Sequence, residues 1–115
     1  MKTRSFMIIN KKMSTNAGHW ILIIKPEDDL LEIFDSLGTK EEDVEHMKSL
    51  AARCQFNNTR FQSPNSKSCG LFCLYTAFWR ISDIDLPYGE VLSELFSPDP
   101  EKNEQIVKDF EKEWL

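Results

Sequence analysis

The sequence predicts an α+β domain, a small antiparallel-containing sheet packed with helices. Three observations carry this expectation. Short β-branched and aromatic runs crowd the first 35 residues and are separated by turn residues. From Thr39 onward the apolar spacing changes to that of a helix. Strands therefore come first and helices after, a segregation that fits α+β better than an alternating α/β chain.

Each element can be justified in turn. Residues 5–10 (SFMIIN) read as a short apolar strand, and residues 11–18 (KKMSTNAG) as a polar loop containing Gly18. Residues 19–25 (HWILIIK) are a buried strand, 26–29 (PEDD) a turn, and 30–35 (LLEIFD) a second strand stopped by Ser36 and Gly38. Thr39, followed by Glu41 and Glu42, begins a helix with acids at the positive end of its dipole. Val44, Met47, Leu50 and Ala51 then recur at helical spacing to about Arg53. Residues 55–62 (QFNNTRFQ) carry a short strand signal, and 63–67 (SPNSK) form a turn-rich loop. Ser68 is an N-cap for a helix from Cys69 to about Ile81, whose nearly all-round apolar content predicts a central, buried helix. A third helix covers 88–96. A fourth follows the Ser-Pro-Asp-Pro punctuation at 97–100, with Ile106, Val107, Phe110 and Trp114 as one apolar stripe.

The bulk composition narrows the function classes. At 115 residues, 41% hydrophobic and 29% charged, the chain is expected to form a single domain over 1–115 with one core. A net charge of -5 argues against nonspecific nucleic-acid binding through the whole surface. Three cysteines do not make a pure disulfide framework, so reduced thiols in an intracellular setting (nucleus, cytoplasm or virion) are expected. Lys2 and Arg4 precede only a four-residue apolar run, too short for a secretory leader, and no apolar stretch is long enough to span a bilayer. No metal and no cofactor are expected. Cys69 and Cys73 lack a second Cys/His pair at zinc-like spacing, and the four glycines are scattered singly rather than gathered in a phosphate loop.

The residues with chemistry to offer lie in an ordered series. Cys69 opens a helix, where the dipole and free N–H groups favour a thiolate, the nucleophilic form; a buried structural cysteine is the plainer reading. Gly70 behind it leaves room for a substrate backbone. His19 opens a strand and has the titration range of a base for a thiol, whereas His46, in the charged run EEDVEHMK, reads as a solvated surface residue. Asp35 is linked to His19 by strand register. A four-residue hairpin loop puts His19 opposite Ser36; a five-residue loop puts Ile23 opposite Leu31, Ile21 opposite Ile33 and His19 opposite Asp35. Only the second keeps His19 and Asp35 on one face. Asp35 would then orient the imidazole and stabilise its cation; otherwise it caps a turn with Ser36 and Gly38. Gln62, with the Cys69 N–H, would supply two donors for an oxyanion.

Taken in order, His-Trp (His19, Trp20), the acid in FDSLG and Gln-x6-Cys-Gly resemble the adenain family of cysteine proteases, those of adenoviruses. They are more similar still to the proteases of Maverick/Polinton transposons. PNS at 64–66, CGLFC at 69–73 and the tail from Leu92 to Lys112 add to a similarity that runs from about residue 6 onward. The resemblance implies a papain-like site in permuted chain order, with His19 as base, Asp35 as acid, Gln62 at the oxyanion hole and Cys69 as nucleophile. Trp20 and Gly70 would touch substrate. It implies a cysteine endopeptidase acting on viral or transposon precursor proteins. The SUMO-specific and related ubiquitin-like-protein deconjugating proteases share the permuted order and are the competing assignment, with Trp20 as an aromatic wall. A truncated remnant acting only as a binding module is the alternative outside enzymes, since family members usually carry an additional N-terminal segment and the His-Trp pair here falls within the first twenty residues. The adenovirus enzyme is activated by DNA and by a peptide that pairs through a cysteine. The acidic charge gives no support to DNA activation. An activating peptide stays open, with Cys54 either its partner position or simply a helix-end residue.

Overall fold

A computed structural model describes residues 4–12 and 18–115. Four strands, β1 (Ser5–Lys12), β2 (Gly18–Glu27), β3 (Leu30–Phe34) and β4 (Arg53–Phe56), form one sheet in the order β1-β2-β3-β4. The first three run antiparallel, and β4 joins β3 in parallel after a crossover through α1 (Glu41–Lys48). Three further helices follow: α2 (Cys69–Ser82), α3 (Tyr88–Leu95) and α4 (Pro100–Trp114). The fold is therefore α+β with a mixed four-stranded sheet.

Strand alternation divides the core. Leu22, Ile24 and Phe34 point to the side covered by α2, α3 and α4, where Phe61, Phe72, Tyr75, Phe96 and Phe110 make a connected aromatic cluster. Ile21, Ile23, Leu31 and Ile33 point the other way, onto Val44 and Met47 of α1. The sheet is thus covered on both faces, which explains why all five residues of β3 are buried.

Several boundaries differ from the sequence expectation, each for a local reason. β1 continues through Lys12, with Lys11 opposite His19, and Gly18 already belongs to β2; the rest of the expected 11–18 loop, residues 13–17, lies outside the described residues. β2 runs on to Glu27, so only Asp28 and Asp29 make the turn, and Asp29 takes a φ of 63° that an aspartate tolerates. The helix expected from Thr39 begins at Glu41, because Thr39 is occupied by Asn57: its N–H donates to the Asn57 carbonyl (2.9 Å) and its hydroxyl to Asn57 Oδ1 (3.2 Å). It ends at Lys48, leaving Leu50 exposed and placing Cys54 on β4 rather than at a helix end. The strand expected over 55–62 is confined to Arg53–Phe56, since the side chain of Asn57 is drawn into hydrogen bonds with the β3 end. The expected all-round burial of α2 is not met: Leu74 and Phe78 face out at 43% and 38% exposure. In α4, Val107 and Phe110 are buried, but Trp114 at the end of the stripe is 53% exposed.

The central charged pair was not legible in the sequence. Glu32, in the middle of β3, and Arg80, near the end of α2, are almost fully buried and joined by two parallel 2.8 Å hydrogen bonds. The other Arg80 amine donates to the carbonyls of Asp83 (2.9 Å) and Leu86 (2.7 Å), and the guanidinium lies 5.8 Å from the Tyr88 ring centre. The Tyr88 hydroxyl donates to the Ile33 carbonyl (2.7 Å), and burial pushes its phenol well above the usual range.

Candidate active site

The site grows from the end of the β2–β3 ladder. The observed pairing is Leu22 with Phe34 and Ile23 with Ile33, two residues removed from the expected register, with an irregularity between Ile24 and Glu27. A shift of two preserves the face of every side chain. His19 and Asp35 consequently still meet, with His19 Nε2 donating to Asp35 Oδ1 over 2.6 Å, both residues buried. A carboxylate only accepts, so Nε2 carries a proton, and in the neutral imidazole Nδ1 is the nitrogen with the free lone pair.

Asp35 also caps a turn, the alternative role weighed for it. The same Oδ1 accepts from the Leu37 N–H (2.9 Å), and the Gly38 N–H donates to the Asp35 carbonyl (2.8 Å). Gly38 has a φ of 93°, and a Cβ there would stand 3.0 Å from the Asn58 carbonyl oxygen, so this turn requires glycine. The two roles are compatible because one oxygen serves both partners. Asp35 Oδ2 is buried with no hydrogen-bond partner among the described residues.

Asn57, which carried no sequence signal, fixes the Asp35 backbone from both sides. Its Oδ1 accepts from the Asp35 N–H (3.1 Å), and its Nδ2 donates to the Asp35 carbonyl (2.7 Å) and to Thr59 (3.0 Å). A short buried asparagine satisfying three backbone groups is easily taken for a loop residue when read from sequence.

Gln62 lies next to the acid rather than at the surface, at 1% exposure. Ser36, directly after Asp35, accepts the Phe61 and Gln62 N–H groups on its carbonyl (2.8 and 2.9 Å), and its hydroxyl donates to Gln62 Oε1. Gln62 Nε2 donates to the Ser66 carbonyl (3.0 Å). A backbone carbonyl can only accept, so this contact fixes which end of the amide is NH2 and leaves Nε2 one further hydrogen.

Cys69 is the first residue of α2, so its N–H has no acceptor within the helix. Ser68 occupies the N-cap position but makes no capping bond; its hydroxyl is directed to Glu104 Oε1 (2.6 Å) on α4. Two contacts place the start of α2 against Trp20, the residue after His19. A Cβ on Gly70 would lie 3.3 Å from the Trp20 indole, so the bare glycine is what lets α2 approach β2, and the space beside it is taken by that ring. Cys73, one turn on, donates from its thiol to the Trp20 carbonyl (3.4 Å). Burial, with smaller effects from Cys69 and Asp35, pushes the Cys73 thiol far up, so it stays protonated and serves as packing. Cys69 is half-buried, and its thiol makes no hydrogen bond, to His19 or to any other group, among the described residues. Trp20 remains 40% exposed.

A cavity of about 490 Å³ with Phe56, Phe61, Tyr88, Leu92 and Phe96 in its walls lies elsewhere, between the 57–61 segment and α3. Neither His19 nor Cys69 lines it, and the site is identified by its hydrogen-bonding groups rather than by that cavity. Among the described residues no helix is long and apolar enough to cross a membrane. No family model matches the chain, and no curated protein matches it.

The single-oxygen role of Asp35 makes an unusual expectation. Asp35→Asn retains an oxygen able to accept from both His19 and Leu37, and places an NH2 where Oδ2 lacks a partner. It should hold the histidine in place and destabilise the fold by about 1–3 kcal/mol through the buried, unpaired donor. Asp35→Ala, which frees the ring altogether, should shift or broaden the His19 imidazole NMR signals far more. Equal changes in those signals in the two variants would refute the orienting role.

Proposed function

We propose that the protein is a cysteine endopeptidase with a papain-like site in permuted chain order, of the adenain type. The observation that carries this reading is the buried 2.6 Å bond from His19 Nε2 to Asp35 Oδ1, made at the end of β2 where the first turn of α2 packs. His19 Nδ1 takes the Cys69 proton, and the thiolate attacks the scissile carbonyl. Asp35 holds the imidazolium, and the Cys69 N–H with the spare Gln62 Nε2 hydrogen receives the oxyanion. His19 then returns the proton to the leaving amine, and water releases the acyl group from Cys69. The substrates on this reading are precursor proteins of a virus or transposon, and the acidic charge speaks against DNA as an activator.

A second reading draws on one specific feature. The half-exposed Trp20 ring lying over Gly70 suits a narrow aromatic-walled channel, as a ubiquitin-like-protein deconjugase would need for a Gly-Gly tail.

The test uses p-nitrophenyl acetate, with the acylated cysteine located by mass spectrometry. Cys69 is expected to acylate well ahead of Cys54, the other thiol that is not fully buried. If Cys69 reacts no faster than Cys54 in the folded protein, the protease reading fails and a peptide-binding module remains. A ubiquitin-like Gly-Gly probe that captures Cys69 would favour the deconjugase over the precursor-processing enzyme.

A further inference from the structure

We infer that Glu104, on α4, is a positioning residue for the oxyanion side of this site. The inference rests on the protease reading above. Both oxygens of the Glu104 carboxylate are engaged by the loop that precedes the nucleophile: Ser66 Oγ donates to Oε2 (2.8 Å) and Ser68 Oγ to Oε1 (2.6 Å). Neither serine hydroxyl is spent on capping α2, although Ser68 stands at its N-cap. The loop is also tied to itself, with the Ser66 N–H on the Ser63 carbonyl (3.0 Å) and the Ser68 N–H on Ser66 Oγ (3.1 Å).

Two functional groups depend on this clamp. Ser66 presents the carbonyl that accepts from Gln62 Nε2, and Ser68 is followed directly by Cys69. A carboxylate spanning two hydroxyls fixes both ends of a turn-rich loop at once, which no single-acceptor side chain does. Glu104 thereby sets where the Gln62 amide points and where the Cys69 N–H lies, without touching either. Its remaining neighbour, Lys108, is 3.7 Å away and largely exposed, so it contributes little to the arrangement.

Glu104→Gln separates this role from general stability. The amide is the same size but has one acceptor oxygen and no charge, so one serine hydroxyl loses its acceptor and the other keeps only a neutral hydrogen bond. Two reagents are compared. In acylation by p-nitrophenyl acetate the Cys69 sulfur bonds the carbonyl carbon through an oxyanion, and p-nitrophenolate leaves. In alkylation by iodoacetamide the sulfur displaces iodide and no oxyanion forms. Glu104→Gln should slow acylation about tenfold or more while alkylation changes less than about twofold. In a Gln62→Ala background, the same substitution should slow acylation clearly less than it does in the parent, because only the route through Ser68 and the Cys69 N–H remains. Lys108→Ala should match the parent in both reactions. Unchanged acylation in Glu104→Gln, equal slowing with both reagents, or a full additional loss in the Gln62→Ala background would each overturn the inference while leaving the protease reading intact. A parent protein whose Cys69 alkylates but does not acylate would remove that reading and this inference together.

Discussion

Replacing Cys69 with alanine is expected to lower hydrolysis of an unfolded protein substrate on the order of 10⁴-fold or more, as removal of a covalent nucleophile does. The variant should remain folded. Cys69 is only half-buried and its thiol holds no hydrogen bond among the described residues, so its loss should alter stability by about 1 kcal/mol or less. The measurement is product formation followed by gel or mass spectrometry, beside a denaturation curve for each protein. Cleavage that persists in Cys69→Ala would dismiss the mechanism, since neither of the remaining thiols can substitute: Cys73 is buried and held protonated, and Cys54 sits on β4 beyond β3. His19→Ala should show a loss of similar size, because the thiol then has no base within the site.

The largest expected effect on stability lies away from the chemistry, at Glu32 and Arg80. Taking away one member leaves the other charged, buried and unpaired, so Glu32→Ala or Arg80→Ala should destabilise by about 3–5 kcal/mol. For a domain of 115 residues that is a large part of the whole margin. The two substitutions should differ in how they combine. Glu32→Leu with Arg80→Met removes both charges and should recover much of the loss, but not all, because the carbonyls of Asp83 and Leu86 lose the Arg80 donor. Urea denaturation of Glu32→Leu, Arg80→Met and the double variant forms the cycle that measures this. Single variants within about 1 kcal/mol of the parent would show that the pair is not a structural anchor.

The legible parts of the fold are those that follow from local pattern. β2, β3 and the four helices have apolar spacing, turn residues and Pro/Gly punctuation that point to them, and all but α1, which stops five residues short of its expected end, lie within a few residues of their expected bounds. The face shared by His19 and Asp35 was legible because parity survives an even slip, although the register itself was not. The tight Asp28–Asp29 turn and the irregularity between Ile24 and Glu27 together moved the pairing by two. What escaped were polar side chains whose partners are far away in the chain. Glu32 alone on a strand resembles a solvent-facing residue, and its partner is 48 positions on. Asn57 resembles part of an alternating strand until Asp35 is placed beside it, and Glu104 is one acid in a charged helix until the loop folds against it. Periodicity reports burial of apolar groups; it carries no information about which distant polar atoms will need one another.

The order of sequence separations within the site has a consequence for how it assembles during synthesis. His19 and Asp35 are 16 residues apart, inside an antiparallel meander whose pairings are local. Ser36 reaches Gln62 across 26 residues, and Ser66 reaches Glu104 across 38. Longer loops close later, and chains fold from the N-terminus as they emerge. The His19–Asp35 pair can therefore form while α2 is still being made. The loop before Cys69 waits for α4, to which Ser66 and Ser68 are bonded, so Cys69 is set later than that pair.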